Sequence, residues 1–455
     1  VSSVLNLDLA GLHASYKAGL LTPDVVLRQT IERVEEVNGR LNAFAHLDLA
    51  GAKEAAQASR ARWAAGKPLG PLDGAVITVK DNIPVAGMPC AWGSALFRNF
   101  VPERDEFAVE LLRAAGAVIL GKTTCSEFTI GRGTVNTPAF GVTRNPWDTR
   151  LTTGASSGGA AAAVAAGMGA AALGTDGGGS IRRPASHCGL VGLKPSTGRI
   201  PRLHGLPQVL LDFEVVAPLG RTVADVAILF EALARSGHRY ASRASEHARP
   251  SAGRKLKILM VTRFEDAPHP DIERATRQVA AALSALGHDI EEGGPPHNVQ
   301  AHIAAWATVT RTALAWIVRD RNWRGHISPQ LEPLIEAGFK LTASDYLDAI
   351  HILNGVSHEV GRAFETFDLI VTPAAGALPW PVETEAPPGE RSFTGFVNAA
   401  HLPAIAIPGR PADDGRPIGV QLVAAFGEDE LLLDLAREIE AALPWRERAP
   451  LGEAL

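Results

Sequence analysis

Residues 152–199 read TTGASSGGAAAAVAAGMGAAALGTDGGGSIRRPASHCGLVGLKPSTGR, and this stretch constrains the fold more than any other. It opens with a polar Gly/Ser turn. A long Ala/Gly run follows, then a short apolar segment. A second glycine-rich turn carries one serine, Ser180. Glycine crowds both turns, as a close approach of backbone to a reacting group requires. Residues 160–173 are the one long run of low polarity. They are too few to span a bilayer, so they predict a buried helix. Upstream, Lys80 closes another apolar run, AVITVK. Lys80, Ser156 and Ser180 read as one catalytic unit.

Around this stretch, apolar strands alternate with helices. Strands are predicted at 75–80, 117–122 and 171–175, and helices at 106–115 and 158–169. Gly116 is a fitting helix stop. Helices at 23–38 and 51–65 precede the first strand and wrap the outside; Thr22 can cap the earlier one, with Pro23 at its first position. A helix follows Arg221 and runs to about Ala234. Residues 236–255 are polar and basic and read as a surface linker. A strand at 257–261, a helix at 270–286 and a strand near His288–Glu291 make another β/α unit. Residues 300–366 are mostly helical. Strands at 368–374, 404–409 and 419–425 return to the sheet, and a helix over about 429–442 closes the chain. This alternation predicts an α/β fold: one large mixed, mostly parallel twisted sheet with helices on both faces. Residues 1–455 read as a single domain, because the late strands complete a sheet begun in the first half.

Composition narrows the function. A length of 455 residues exceeds one ordinary core. The net charge of −5 carries no nucleic-acid footprint. Cys90, Cys125 and Cys188 form no CxxC pair and read as reduced core thiols of a cytoplasmic protein. The N-terminus lacks the basic and apolar regions of a secretory signal, and no segment predicts a membrane span. The fourteen histidines are scattered, with no HExxH motif, so neither a metal nor another cofactor is expected. His187 and Cys188 are adjacent and read as structural.

Three positions can carry chemistry. Burial of Lys80 would lower its pKa and let it act as a base near neutral pH; the alternative is a solvated strand end. Ser156 lies in Gly154-Ala155-Ser156-Ser157-Gly158, which fits the G-x-S-x-G elbow pattern. A polar segment precedes it where an elbow needs a buried strand, so a helix-capping turn is the other reading. Ser180 follows Asp176-Gly177-Gly178-Gly179 directly after a buried strand, where α/β folds place ligands. That turn could form an oxyanion hole or cradle a phosphate. Neither the P-loop pattern nor G-x-G-x-x-G surrounds it. Asp176 and Arg182 bracket the turn and could pair. Arg183 reads as a surface or pocket-rim charge.

The lysine of VITVKDN, the run TGASSGG and the later GTDGGGSIRRPASHCGLVGLKPSTGR together resemble the amidase signature family of serine hydrolases. AVILGKTTCSEF, FGVTRNPWD and RPIGVQLVA extend the resemblance over nearly the whole chain. It is closest over about 70–230, with a more variable helical region at about 236–366. The resemblance implies the amidase signature fold and a Ser–cis-Ser–Lys triad. Ser180 matches the nucleophile, Ser156 the bridging serine after a cis peptide, and Lys80 the base. Ser157 matches a neighbour that helps hold the lysine. The N–H groups of Gly177, Gly178, Gly179 and Ser180 match the oxyanion hole.

Departures from the family pattern bear on substrate preference. They are Ala155, Ala160, Gly177, Arg183 and the Cys90-Ala91-Trp92 stretch. Phe128, Ile130 and Arg132 are expected to line the acyl pocket, with Arg132 a candidate for a polar or anionic substrate group. Trp306, Trp316 and Trp323 could shape its mouth. The expected partner is a small-molecule amide, hydrazide or urea-type substrate, with no nucleic acid and no membrane; the family suggests a homodimer. The leading alternative is the glutaminase subunit of a tRNA-dependent amidotransferase. Such subunits carry a YDGVRYG-like segment where this chain has AWATVTRTALAWIVRDRNW. A catalytically silent binding protein and a nucleotide-binding enzyme are the further alternatives.

Overall fold

The computed structural model describes residues 4–131, 133–235 and 254–445. The linker predicted at 236–255 falls almost wholly outside them. Thirteen strands run through the described residues: β1 (Phe44–Leu47), β2 (Val76–Lys80), β3 (Val118–Thr123), β4 (Asn136–Thr137), β5 (Gly141–Val142), β6 (Ala171–Asp176) and β7 (Val191–Lys194), then β8 (Val215–Gly220), β9 (Lys257–Met260), β10 (Asp289–Glu292), β11 (Leu369–Pro373), β12 (Ala404–Pro408) and β13 (Gly419–Ala424). Eleven of them form one sheet in the order β1-β3-β2-β6-β8-β7-β12-β13-β11-β9-β10. Strands β4 and β5 pair separately.

The large mixed sheet matches the sequence-based expectation, but its parallel share is smaller than predicted. Parallel pairing is confined to β3/β2, β2/β6, β11/β9 and β9/β10. The other six neighbouring pairs are antiparallel. The prediction read the alternation of apolar strands with helices as largely parallel pairing. Strands β12 and β13 are instead joined by a short connection, which forces them antiparallel. Strands β1, β7 and β8 were not anticipated at all.

The central strands are buried along their whole length, as in β2 and β6. That explains why they read as continuous apolar runs rather than alternating ones. Helix Gly158–Ala165 packs on β2 and β6, and every one of its residues is buried. Only small side chains fit there: a Cβ on Gly159 would lie 2.3 Å from Thr124 Oγ1. The run ends four residues earlier than predicted, and Gly167 then takes a positive φ of 76°. Polar residues set other helix starts. Thr222 and Asp225 form a reciprocal capping box for helix Val223–Leu233.

Parallel pairing of β2 with β6 sets Val79 opposite Leu173. The C-terminal ends of both strands therefore reach the same edge of the sheet. Lys80 closes one strand, and Thr175 and Asp176 close the other.

Candidate active site

Lys80 is fully buried, with its Nζ 2.7 Å from Ser156 Oγ and 2.8 Å from Thr175 Oγ1. A more distant carbonyl, that of Thr175, lies 3.4 Å away. Burial pushes the Lys80 pKa down to about 8, although the nearby Glu214 and Asp176 carboxylates pull it upward. A cis peptide joins Ala155 to Ser156. Ser156 precedes the buried Ala/Gly helix, while Ser180 lies beyond β6 at its far end. Ser157 N donates to the Ser180 carbonyl at 3.2 Å, tying the two turns together. No hydrogen bond closes between the two hydroxyls of Ser156 and Ser180.

Ser157 does not contact the lysine directly. Its hydroxyl donates to the Thr175 carbonyl at 3.2 Å. Thr175 takes the holding role instead, and Asn82 Nδ2 donates to Thr175 Oγ1 at 3.1 Å. Neither residue was singled out from the sequence. Thr175 is a polar side chain near the end of an otherwise apolar strand and Asn82 lies two residues past the end of another, which is the signal that could have found them.

The turn before Ser180 is fixed by Asp176. One carboxylate oxygen accepts from Gly179 N at 2.8 Å, and the other accepts from Ile181 N at 3.1 Å. Arg182 meets both oxygens, at 2.9 and 3.0 Å, as the sequence suggested. Burial would raise the Asp176 pKa, but the Arg182 guanidinium overrides it and holds the carboxyl well below the usual range. Arg182 also donates to the Thr394 carbonyl, Gln421 and Asn398. The Gly179 N–H is thereby engaged, which removes it from the expected set of oxyanion donors. Among the described residues, Gly177, Gly178 and Ser180 keep their N–H groups without a protein partner. Gly179 has a different necessity. Its φ is +106°, and a Cβ there would lie 2.2 Å from Thr394 Oγ1.

A family model described as Amidase matches residues 25–433. The chain belongs to the amidase family.

This amidase is similar to a glutamyl-tRNA(Gln) amidotransferase subunit from Synechococcus sp. (strain RCC307), with 34% identity over 471 residues, 93% of this chain and 95% of that protein. Among solved structures it is similar to 6-aminohexanoate cyclic dimer hydrolase complexed with substrate. The TM-score is 0.85 at 28% identity, over 99% of this chain and 100% of that one. Native peptide amidase from Stenotrophomonas maltophilia gives a TM-score of 0.83 at 25% identity, over 98% and 99% of the two chains. The expected family and its hydrolase class are thus shown.

In this amidase a cavity of about 530 Å³ opens beside Ser180. Gly177, Gly178 and Ile130 line it, as does Trp306 on helix Val299–Val318. Three residues expected at the cavity need correction. Phe128 is buried in an edge-to-face cluster with Trp92 and Phe97 and does not line the cavity. Trp316 lies on the surface and stacks with Arg319, and Trp323 is core, so neither shapes the mouth. Of the two readings of Arg183, the surface one fails and the pocket one holds: it is 6% exposed, lines the cavity and pairs with buried Glu390 at 2.5 Å. Arg132 lies outside the described residues. All three cysteines are buried and free, and His187 is buried with Nε2 3.2 Å from the Ala377 carbonyl. Among the described residues, no group of three metal-ligating side chains forms and no helix is long and apolar enough to cross a membrane.

Proposed function

We propose that this amidase hydrolyses a small carboxamide or related non-peptide C–N acyl bond through an acyl-enzyme on Ser180. The observation that carries the reading is the 2.7 Å contact between fully buried Lys80 and Ser156, beside a turn that presents Ser180 to the cavity. Serine attacks only when a base takes its proton. Neutral Lys80 accepts the Ser156 proton while Ser156 accepts that of Ser180. Ser180 Oγ bonds to the substrate carbonyl carbon. The developing oxyanion is met by the free N–H groups of the glycine turn, each typically a few kcal/mol of transition-state stabilisation. The C–N bond then breaks, and the proton held on Lys80 returns through Ser156 to the leaving nitrogen. Water attacks the ester by the same relay in reverse, releasing the acid and restoring Ser180.

A second reading has support of its own. The amidotransferase subunit is more similar in sequence than the cyclic dimer hydrolase, at 34% against 28% identity. On that reading the amide is glutamine, and its ammonia passes to a partner subunit. The segment at 305–323 differs from the YDGVRYG-like sequence expected of such subunits, which favours the stand-alone enzyme.

A fluorophosphonate probe tests the shared chemistry. It should label Ser180 and leave Ser180→Ala unlabelled; equal labelling of the variant would sink the mechanism. Turnover of amide, hydrazide and urea-type substrates by the chain alone separates the two readings. Glutamine hydrolysis that appears only on adding amidotransferase partner subunits would establish the second.

A further inference from the structure

Arg183 stands three residues beyond Ser180, and its backbone N donates to the Gly179 carbonyl at 2.9 Å. Its Nε lies 2.9 Å from where a Cβ on Gly179 would sit, so the guanidinium packs directly on the nucleophile turn. It also lines the cavity. One terminal nitrogen donates to Glu390, while Nη2 and Nε have no protein partner among the described residues. Glu390 is itself shared, since Arg391 reaches its other oxygen at 3.2 Å. Two guanidinium groups thus approach one carboxylate, so Glu390 is not reserved for Arg183.

Among the described residues, none of the other cavity carboxylates makes an ion pair with Arg183. Glu214 is already bound by Arg202 at 3.1 Å, and Asp266 and Glu385 are exposed. A guanidinium that is buried, fixed by one ion pair and open at a second nitrogen is a prepared donor for a carboxylate oxygen.

Resting on the acyl-enzyme reading, we propose that Arg183 is a specificity residue that binds a carboxylate on the substrate. The preferred substrates are then small amides bearing an anionic group within a few bonds of the scissile carbonyl. A site built to pair a substrate group discriminates against an isostere that lacks it, because the donor is left unpaired.

The test compares succinamate with 4-methylpentanamide, in which an isopropyl group replaces the carboxylate. The ratio of kcat/KM for the two amides is measured in wild type and in Arg183→Met. That ratio should favour succinamate in wild type and fall about tenfold or more in the variant. Arg183→Met leaves Glu390 buried with one partner fewer, so the double variant Arg183→Met/Glu390→Gln provides a second, charge-balanced comparison. It should show the same fall. Direct binding separates this proposal from the reading beneath it. Succinate should raise the melting temperature of wild type and not of either variant, whether or not amides turn over. A ratio that falls by less than tenfold, a succinate shift that does not depend on Arg183, or no shift in wild type would overturn the proposal. Absence of Ser180 labelling, with succinate binding intact, would instead count against the acyl-enzyme reading alone.

Discussion

Lys80 Nζ sits 2.7 Å from Ser156 Oγ at the end of a strand in which every residue is buried. A base works in its neutral form, and burial has lowered this lysine's pKa to about 8. The value of kcat/KM should therefore rise as pH increases through about 8 and level off above it. A pH–rate profile that is flat across this region would remove Lys80 from the role of base.

The same burial makes the lysine a cost to the fold. Its proton is held more tightly in the unfolded chain, so this group's contribution becomes more favourable as pH rises through the folded pKa. Lys80→Met should lower turnover by about 10²- to 10⁴-fold. It should not lower the thermal midpoint at neutral pH. Calorimetry on the two proteins checks this, and a marked drop in midpoint would mean that Lys80 is structural.

Ser156→Ala interrupts the proposed relay while keeping Lys80 and Ser180. We expect a loss in kcat of about 10²- to 10⁴-fold with little change in KM. Steady-state kinetics on one amide decide it. Near wild-type turnover would leave Ser156 with no part in proton transfer.

Arg182→Met should be among the most damaging substitutions in the chain. It strands the fully buried Asp176 carboxylate, a loss of about 3–5 kcal/mol. Urea denaturation measures the change. Arg182→Lys should rescue little, because one ammonium cannot reproduce the fork that meets Asp176, Asn398, Gln421 and the Thr394 carbonyl together.

Neighbouring glycines should respond differently. Gly179→Ala forces a side chain into positive φ and against Thr394, at a cost of roughly 1–3 kcal/mol or more. The atoms nearest a Cβ on Gly178 belong to Trp306, at an ordinary 3.5 Å, so Gly178→Ala should fold with stability close to wild type. Melting curves for the two variants should separate clearly. Equal midpoints would mean that the turn is less constrained than its contacts imply.

Much of this was legible in the chain, for identifiable reasons. β2 and β6 could be read because burial on both faces demands unbroken apolar runs, and Lys80 and Ser180 stand where those runs stop. The Asp176–Arg182 pair was readable from its spacing around the turn. Strands β7 and β8 were not, because β7 has only four residues and Pro218 interrupts the apolar run of β8. For Arg183 the sequence could not choose between surface and pocket. Its burial depends on Glu390, 207 residues further along, and no local pattern announces that contact. Gly179 looked equivalent to Gly177 and Gly178 as an oxyanion donor. Only the placement of Asp176 shows that its N–H is taken.

The clamp on Arg182 also has a temporal side. Its contacts reach Gln421, 239 residues beyond it, and that residue lies on β13. On the ribosome, Lys80 and the turn carrying Ser180 are made long before Asn398 and Gln421, which hold Arg182 beside that turn. Nascent chains therefore carry an unclamped turn until β13 has emerged.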